Sequence, residues 1–129
     1  MDICVVIPAF DPDEELLDYV ERLIASGIDK IILIDDGSDT KCKWIFDDLS
    51  DKEEIELLTH AVNMGKGRAL KDAFDHYLVH YANRKRGVIT ADCDGQHRVE
   101  DVWMIAQAMS QYPDALILGL GISMMIVYR

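Results

Sequence analysis

Two aspartates that follow a short apolar run, Asp92 and Asp94, are the residues of this sequence best suited to chemistry. The run at 88–91 is rich in β-branched residues and is stopped near Gly95, which is typical of a buried strand that ends at the rim of a sheet. Alternate residues of an extended chain point to one side, so both carboxylates could reach one Mg²⁺ or Mn²⁺, with Gln96 as a further neutral oxygen ligand. The alternative is that the two aspartates are solvated turn residues, because Asp and Gly are common in turns.

The elements that would position this pair alternate between strand and helix along the chain. Continuous apolar runs predict strands at 3–7, 30–34, 54–59, 88–91 and 115–118, and helical spacing predicts helices at 16–24, 43–49, 70–81 and 99–109. Pro8 is expected to end the first strand and Gly27 the first helix. This alternation favours right-handed crossovers and a mostly parallel sheet flanked by helices. The sequence therefore predicts an α/β fold with one domain over residues 1–129.

The carboxyl ends of parallel strands share one edge, which is where open α/β sheets bind ligands. Three loops are predicted to meet at that edge, at residues 8–11, 35–38 and 92–97. Phe10 could stack on a nucleobase, and Asp35 and Asp36 could accept hydrogen bonds from a base or a ribose. The alternatives are an ordinary core or rim aromatic and an ordinary β-turn. No Gly-x-Gly-x-x-Gly follows the first strand, so the dinucleotide fingerprint is absent from the sequence.

Two glycines and two cations precede the helix predicted at 70–81, in the order Gly65, Lys66, Gly67 and Arg68. Unpaired N–H groups at a helix start and a local positive charge suit a phosphate group. The segment is not a P-loop, because the four-residue spacer and the Lys-Ser/Thr ending are missing. The alternative is a helix-entry loop with a solvated Lys66 and Arg68.

The four histidines share no catalytic pattern. His97 follows the acid pair and could be a ligand, a contact to an acceptor or an exposed cap residue. His76 and His80 lie four residues apart on a predicted helix and are interpreted as surface or rim residues. No role is predicted for His60, and no residue of the chain is assigned as a general base.

Composition sets the outer limits on function. Hydrophobic residues make up 50% and charged residues 29% of the 129 residues, which is ordinary for a soluble globular protein and argues against disorder. The formal net charge of -11 argues against a nucleic acid partner, so an anionic ligand would have to be held locally by a metal ion or a few cations. Three cysteines without metal-type spacing are interpreted as reduced thiols, which favours a cytoplasmic location. No signal peptide or membrane-spanning run is apparent, so any membrane contact is expected to be peripheral.

Four motifs occur in the order and at the spacing typical of glycosyltransferase family 2. They are Val6-Ile7-Pro8-Ala9-Phe10, Ile34-Asp35-Asp36-Gly37-Ser38, Asn63-x-Gly65-Lys66-Gly67-x-Ala69-Leu70 and Asp92-x-Asp94-Gly95-Gln96-His97. In detail the chain resembles the branch that contains polyprenyl-phosphate mannosyl- and glucosyltransferases, and the resemblance extends to about Gly119. It implies a GT-A fold and the transfer of a sugar, with inversion, from a UDP- or GDP-sugar.

The resemblance also implies roles for individual residues. A first group would surround the base and ribose: Pro8, Ala9, Phe10, Asp11 and Asp36. A second group would hold Mg²⁺ or Mn²⁺ and the donor diphosphate: Asp92, Asp94 and Gln96, with Lys66 as a weaker candidate on the donor side. The resemblance leaves two acceptors open, a polyprenyl phosphate and a cell-surface glycan, and a lipid-linked acceptor would place the protein at the inner face of a membrane.

The chain departs from this family near its carboxyl end. The family continues into an acceptor-binding half that carries the proposed general base, whereas this sequence stops at Arg129 after an apolar stretch at 120–128. The expectation is therefore a truncated donor-binding part that exposes an unpaired sheet edge and self-associates. Two alternatives remain open, a nucleotide-sugar binding module without transfer activity and a sugar nucleotidyltransferase.

Overall fold

The computed structural model describes residues 3–85, 87–94, 98–111 and 126–128. Five strands form one sheet in the order β3-β2-β1-β4-β5, in which the first four are parallel and β5 runs antiparallel to β4. The strands are β1 (Ile3–Ala9), β2 (Ile31–Asp36), β3 (Ile55–His60), β4 (Gly87–Thr90) and β5 (Ile126–Tyr128). The helices are α1 (Glu15–Ala25), α2 (Lys43–Ser50), α3 (Lys66–His80) and α4 (Val99–Gln111). The α/β class and the flanked parallel sheet are as the sequence predicts.

Helices cover both faces of the sheet, which is why its central strands are apolar throughout. All seven residues of β1 are buried. Val5 and Ile7 face a core shared with α1, α2 and α4, whereas Cys4 and Val6 face a second core built on α3. The two-residue period of a strand divides one apolar run between these two cores. The sheet is thereby fixed from both sides, and its carboxyl edge becomes a rigid base for the loops.

The first strand does not end at Pro8, as predicted, but continues through Ala9. The carbonyl of Val6 accepts a hydrogen bond from the N–H of Ala91, so the backbone polar groups of Val6 point toward β4. Backbone direction alternates along a strand, so the nitrogen of Pro8, two positions on, points toward β4 as well. Strand β4 ends at Thr90, opposite Val6. Pro8 therefore lies beyond the end of its neighbour on that side, and its missing N–H removes no bond from the sheet.

The third helix begins earlier than predicted, at Lys66 rather than at residue 70. Gly65 precedes it with a φ of 95°, a conformation that glycine adopts readily and that turns the chain into the helix. The two cations predicted to lie before the helix, Lys66 and Arg68, are thus in its first turn. The third strand also ends one residue later than the predicted 54–59, because His60 is the last residue of β3.

The carboxyl-terminal strand was not predicted. β5 pairs with β4 from Gly87 to Ile89, so the edge of β4 has a neighbour over those residues. The strand predicted at 115–118 lies outside the described residues, and self-association through an unpaired edge stays a prediction. Over the part of the chain that the structure describes, no helix is both long enough and apolar enough to cross a membrane.

Candidate nucleotide-sugar site

A cavity of about 320 Å³ opens at the carboxyl edge of the sheet. Strand order reverses between β1 and β4, and this is the position at which open α/β sheets form their ligand crevice. The described residues that line it come from the ends of β1, β2 and β4 and from the start of α3: Pro8, Ala9, Phe10, Asp36, Asn63, Lys66, Asp92, Cys93 and Asp94. The three loops that the sequence predicts to be neighbours are therefore joined in one site.

The β1 loop contributes an aromatic surface. Phe10 lines the cavity and keeps 50% of its surface exposed, so its ring is open to stacking by a ligand. Asp11 is not among the lining residues. Its Oδ1 accepts a hydrogen bond from the N–H of Asp39 at 2.8 Å, and its own N–H donates to Ser38 Oγ at 2.9 Å. In this structure Asp11 thus joins the β1 loop to the β2 loop beside the cavity.

Asp36, at the end of β2, is buried in the cavity wall and organises the loop in front of α3. Its carboxylate accepts hydrogen bonds from the N–H of Met64 at 2.9 Å and from the N–H of Gly65 at 3.0 Å. His60 Nδ1 lies 2.8 Å from the same carboxylate. Burial by itself would raise the pKa of Asp36, but these three donors outweigh it and hold the pKa below its ordinary value. Asp36 therefore stays ionised and binds the loop to the sheet.

His60 lies between two carboxylates, a contact that sequence reasoning missed. Its Nε2 is 2.7 Å from Asp72 Oδ2, and Arg68 Nε donates to the other oxygen of Asp72 at 3.2 Å. The hydrogen bonds to Asp36, the larger effect, and to Asp72 raise the pKa of His60 above its ordinary value, although burial by itself would lower it. Strand register could have predicted the contact with Asp36, because Asp36 and His60 are direct partners at the ends of neighbouring strands. That register can be derived only when the order of the strands in the sheet is known.

Lys66 and Asp92 form an ion pair across the cavity. Lys66 Nζ donates to Asp92 Oδ1 at 2.8 Å, with the lysine side chain about half exposed. Lys66 is the first residue of α3, where the first N–H groups of a helix have no partner within it. A cation, a helix amino terminus and an aspartate pair thus meet in the cavity lining, an arrangement suited to a diphosphate.

The two aspartates lie beyond the end of β4, Asp94 in a turn, and both line the cavity. The sequence predicts that strand alternation brings both carboxylates to one side. In the structure the strand has already ended, and the loop after it places both aspartates in the cavity lining. No group of three His, Cys, Asp or Glu side chains suited to a metal ion occurs among the described residues, so Asp92 and Asp94 would supply at most two carboxylates. Two carboxylates fit Mg²⁺ or Mn²⁺, which keep waters and take up substrate phosphates. The third predicted ligand, Gln96, lies outside the described residues.

The family model described as Glycosyl transferase family 2 matches residues 4–123. The chain belongs to glycosyltransferase family 2. Two similar proteins of Methanocaldococcus jannaschii, the uncharacterized proteins MJ1222 and MJ0544, are 32% and 27% identical over 101 and 99 residues. These matches cover 78% and 75% of this chain but only 39% and 42% of the relatives. The chain thus spans about two fifths of the length of these curated relatives.

Solved structures share the fold of this family 2 chain. A crystal structure of S. aureus TarS 1-349 superimposes with a TM-score of 0.65 at 16% identity, covering 86% of this chain and 33% of that one. The same TarS chain in complex with UDP-GlcNAc gives a TM-score of 0.59 at 18% identity, covering 86% and 32% of the two chains. The likeness supports the GT-A-type arrangement of the sheet, which the family resemblance of the sequence implies.

Proposed function

We propose that this chain is the donor-binding part of a metal-dependent, inverting glycosyltransferase that takes its sugar from a nucleotide-diphosphate-sugar. One observation carries the proposal: in a family 2 chain, the cavity at the switch point joins an exposed aromatic ring, a helix amino terminus with Lys66, and two aspartates. A nucleoside can stack on the aromatic ring, a diphosphate can bind at the helix amino terminus beside Lys66, and a divalent cation can bind to the two aspartates.

The nucleoside would lie against the β1 loop. Pro8 and Ala9 form a rigid wall at the strand end, and the half-exposed ring of Phe10 offers a face for the base. Asp11 and Asp36 fix the loops on either side, and Asp36 uses its carboxylate on the loop before α3. A uridine donor is the first choice, because two structures of the similar TarS chain are described as complexes with UDP-GlcNAc and with UDP.

The diphosphate would lie between Lys66 and the acid pair. Lys66 now neutralises Asp92, and on donor binding its ammonium group would turn to a phosphate oxygen while Asp92 turns to the cation. Backbone N–H groups in the first turn of α3 would add further donors to the phosphate. The pair in the structure therefore keeps both charges compensated until a donor arrives.

Asp92 and Asp94 would hold Mg²⁺ or Mn²⁺, which as a Lewis acid would neutralise charge on the departing nucleoside diphosphate. The acceptor would attack the anomeric carbon from the opposite face, which inverts its configuration. The resemblance of the four motifs to the polyprenyl-phosphate branch is our reason to propose a polyprenyl phosphate acceptor, and with it a cytoplasmic site at the membrane surface. Among the described residues we assign no group as the general base.

The test is calorimetric titration of the chain with UDP, UDP-GlcNAc and GDP-mannose, each with and without Mn²⁺. We expect binding that requires the cation and is weakened about tenfold or more in Asp94→Asn, since one of two metal-binding carboxylates is lost. Asp75→Asn, which removes an exposed carboxylate on α3, is the matched control and should bind as the wild type does. Absence of nucleotide binding, or binding that neither the cation nor Asp94→Asn changes, would refute the proposal.

A further inference from the structure

His60 holds together three elements that meet behind the donor cavity. It ends β3, its side chain is only 10% exposed, and its two ring nitrogens contact carboxylates on two other elements. Nδ1 lies 2.8 Å from Asp36 on β2, and Nε2 lies 2.7 Å from Asp72 on α3. A neutral imidazole has one N–H and could donate to only one of them. The geometry is therefore that of the protonated ring, which donates to both.

This contact continues to the cavity through the backbone. The Asp36 carboxylate, which contacts His60, also accepts hydrogen bonds from the N–H groups of Met64 and Gly65. Gly65 immediately precedes the first turn of α3. Lys66 follows directly and reaches Asp92 across the cavity. On the other side, Asp72 is held by Arg68 from that same first turn. The orientation of His60 thus fixes where the amino terminus of α3 points.

We propose that the protonated His60 is a positioning residue for donor binding, which sets the affinity of the site for the diphosphate of a nucleotide sugar. The inference rests on the proposed function of the cavity. His60 is not among the described residues that line the cavity, so it would act without touching the donor. It acts by keeping Asp36 and the start of α3 in the arrangement that presents Lys66 and the helix N–H groups to the phosphates.

The proposal has a definite pH dependence. The charged groups that face His60 among the described residues are Asp36 from β2 and Asp72 from α3, with Arg68 behind Asp72. The pKa of His60 is raised by these carboxylates, and theirs are lowered despite the burial of Asp36. The network is therefore complete above the carboxyl titration range and below the raised pKa of His60. As the pH rises through that pKa the ring loses one N–H, and one carboxylate loses its donor.

The experiment compares the wild-type chain with His60→Gln, whose single amide nitrogen cannot bridge both carboxylates. His76→Gln is the matched control, because His76 also lies 2.7 Å from a carboxylate, that of Glu56, but outside the cavity. Calorimetry with UDP-GlcNAc and Mg²⁺ is done at about pH 6 and at about pH 9, below and well above the ordinary pKa of histidine. The diphosphate of this donor does not titrate there, whereas the uracil N3–H begins to ionise at the higher pH, so only the pH dependence that His60→Gln abolishes is assigned to His60.

We expect wild type and His76→Gln to bind about tenfold more weakly at the higher pH, the equivalent of one charged hydrogen bond. His60→Gln should bind about tenfold more weakly than wild type at the lower pH, and its affinity should change less with pH than that of wild type and His76→Gln. Amide hydrogen exchange without ligand separates positioning from general destabilisation. In His60→Gln the amides of Met64 and Gly65 should exchange faster while those of β1 are unchanged.

Three results overturn the proposal, and they differ in what they leave standing. Wild-type binding that His60→Gln reproduces at both pH values would remove the role of His60 and leave the proposed function intact. Failure of the wild-type chain to bind any nucleotide sugar at either pH would refute the proposed function and, with it, the role of His60. An equal increase in exchange throughout the sheet would show that His60 contributes only to global stability.

Discussion

Replacement of Gly37 by alanine should damage both the fold and the candidate site. Gly37 follows β2 with a φ of +70°, and an added Cβ would lie 2.2 Å from Asn63 N and 2.2 Å from Val62 C. Both are backbone atoms, so no side-chain rotation relieves the contact. The loop at 61–65 would have to move away from the sheet, and with it Asn63, which lines the cavity.

The magnitude follows from two contributions. An alanine in the left-handed region costs about 1–2 kcal/mol, and forcing an extra carbon into a filled space costs about 1–3 kcal/mol more. Gly37→Ala should therefore lower the free energy of unfolding by about 2–5 kcal/mol. Gly27→Ala is the control, because Gly27 has a φ of +111° but no atom within 4 Å of its added Cβ. It should cost only the conformational contribution, about 1–2 kcal/mol.

The assay is urea unfolding of wild type and both variants, followed by circular dichroism. The backbone strain at Gly27 is at least as unfavourable as that at Gly37, so an excess loss in Gly37→Ala measures the contact with Val62 and Asn63. Equal losses in the two variants, or a larger loss in Gly27→Ala, would show that the loop at 61–65 does not rest on Gly37 as the structure describes. Amide exchange at Met64 and Gly65 should also increase in Gly37→Ala alone.

Two further predictions concern buried groups. The hydroxyl of Tyr19 is buried and has no hydrogen-bond partner among the described residues, so Tyr19→Phe should raise the free energy of unfolding by about 1 kcal/mol. Tyr77→Phe, which removes the hydroxyl that donates to the Lys85 carbonyl at 3.1 Å, should instead lower it, and equal effects in the two variants would contradict the assignment. Burial raises the pKa of the Cys4 thiol from 9.0 to about 12, so its contribution to stability is complete below pH 9.0 and is lost as the pH rises toward about 12. Stability measured by urea unfolding under reducing conditions should fall by up to about 1.4 kcal/mol per pH unit in that range. Cys4→Ala should fall less steeply, and a parallel decline in both proteins would rule out Cys4 as the cause.

Sequence alone determined the fold class and the general place of the site. The apolar run of β1 and the helical spacing of α1 and α4 are local patterns that burial on a two-sided sheet imposes on the chain. The acid pair could be placed at the sheet rim because it directly follows the apolar run of β4. Once the strands are known to be parallel, their carboxyl ends must share an edge, so the meeting of three loops also follows. The binding roles assigned to those residues stay predictions.

Only the tertiary structure decided what the site residues contact. His60 meets Asp36, 24 residues away, and Asp72, 12 residues away, while Lys66 meets Asp92 across 26 residues. Such pairs leave no periodic signal, because which strands are neighbours and how a helix packs on them depend on the burial of many side chains at once. The antiparallel β5 and the early start of α3 were missed for the same reason. The chain thus specifies locally which groups reach the rim, and packing determines which of them hold one another in place.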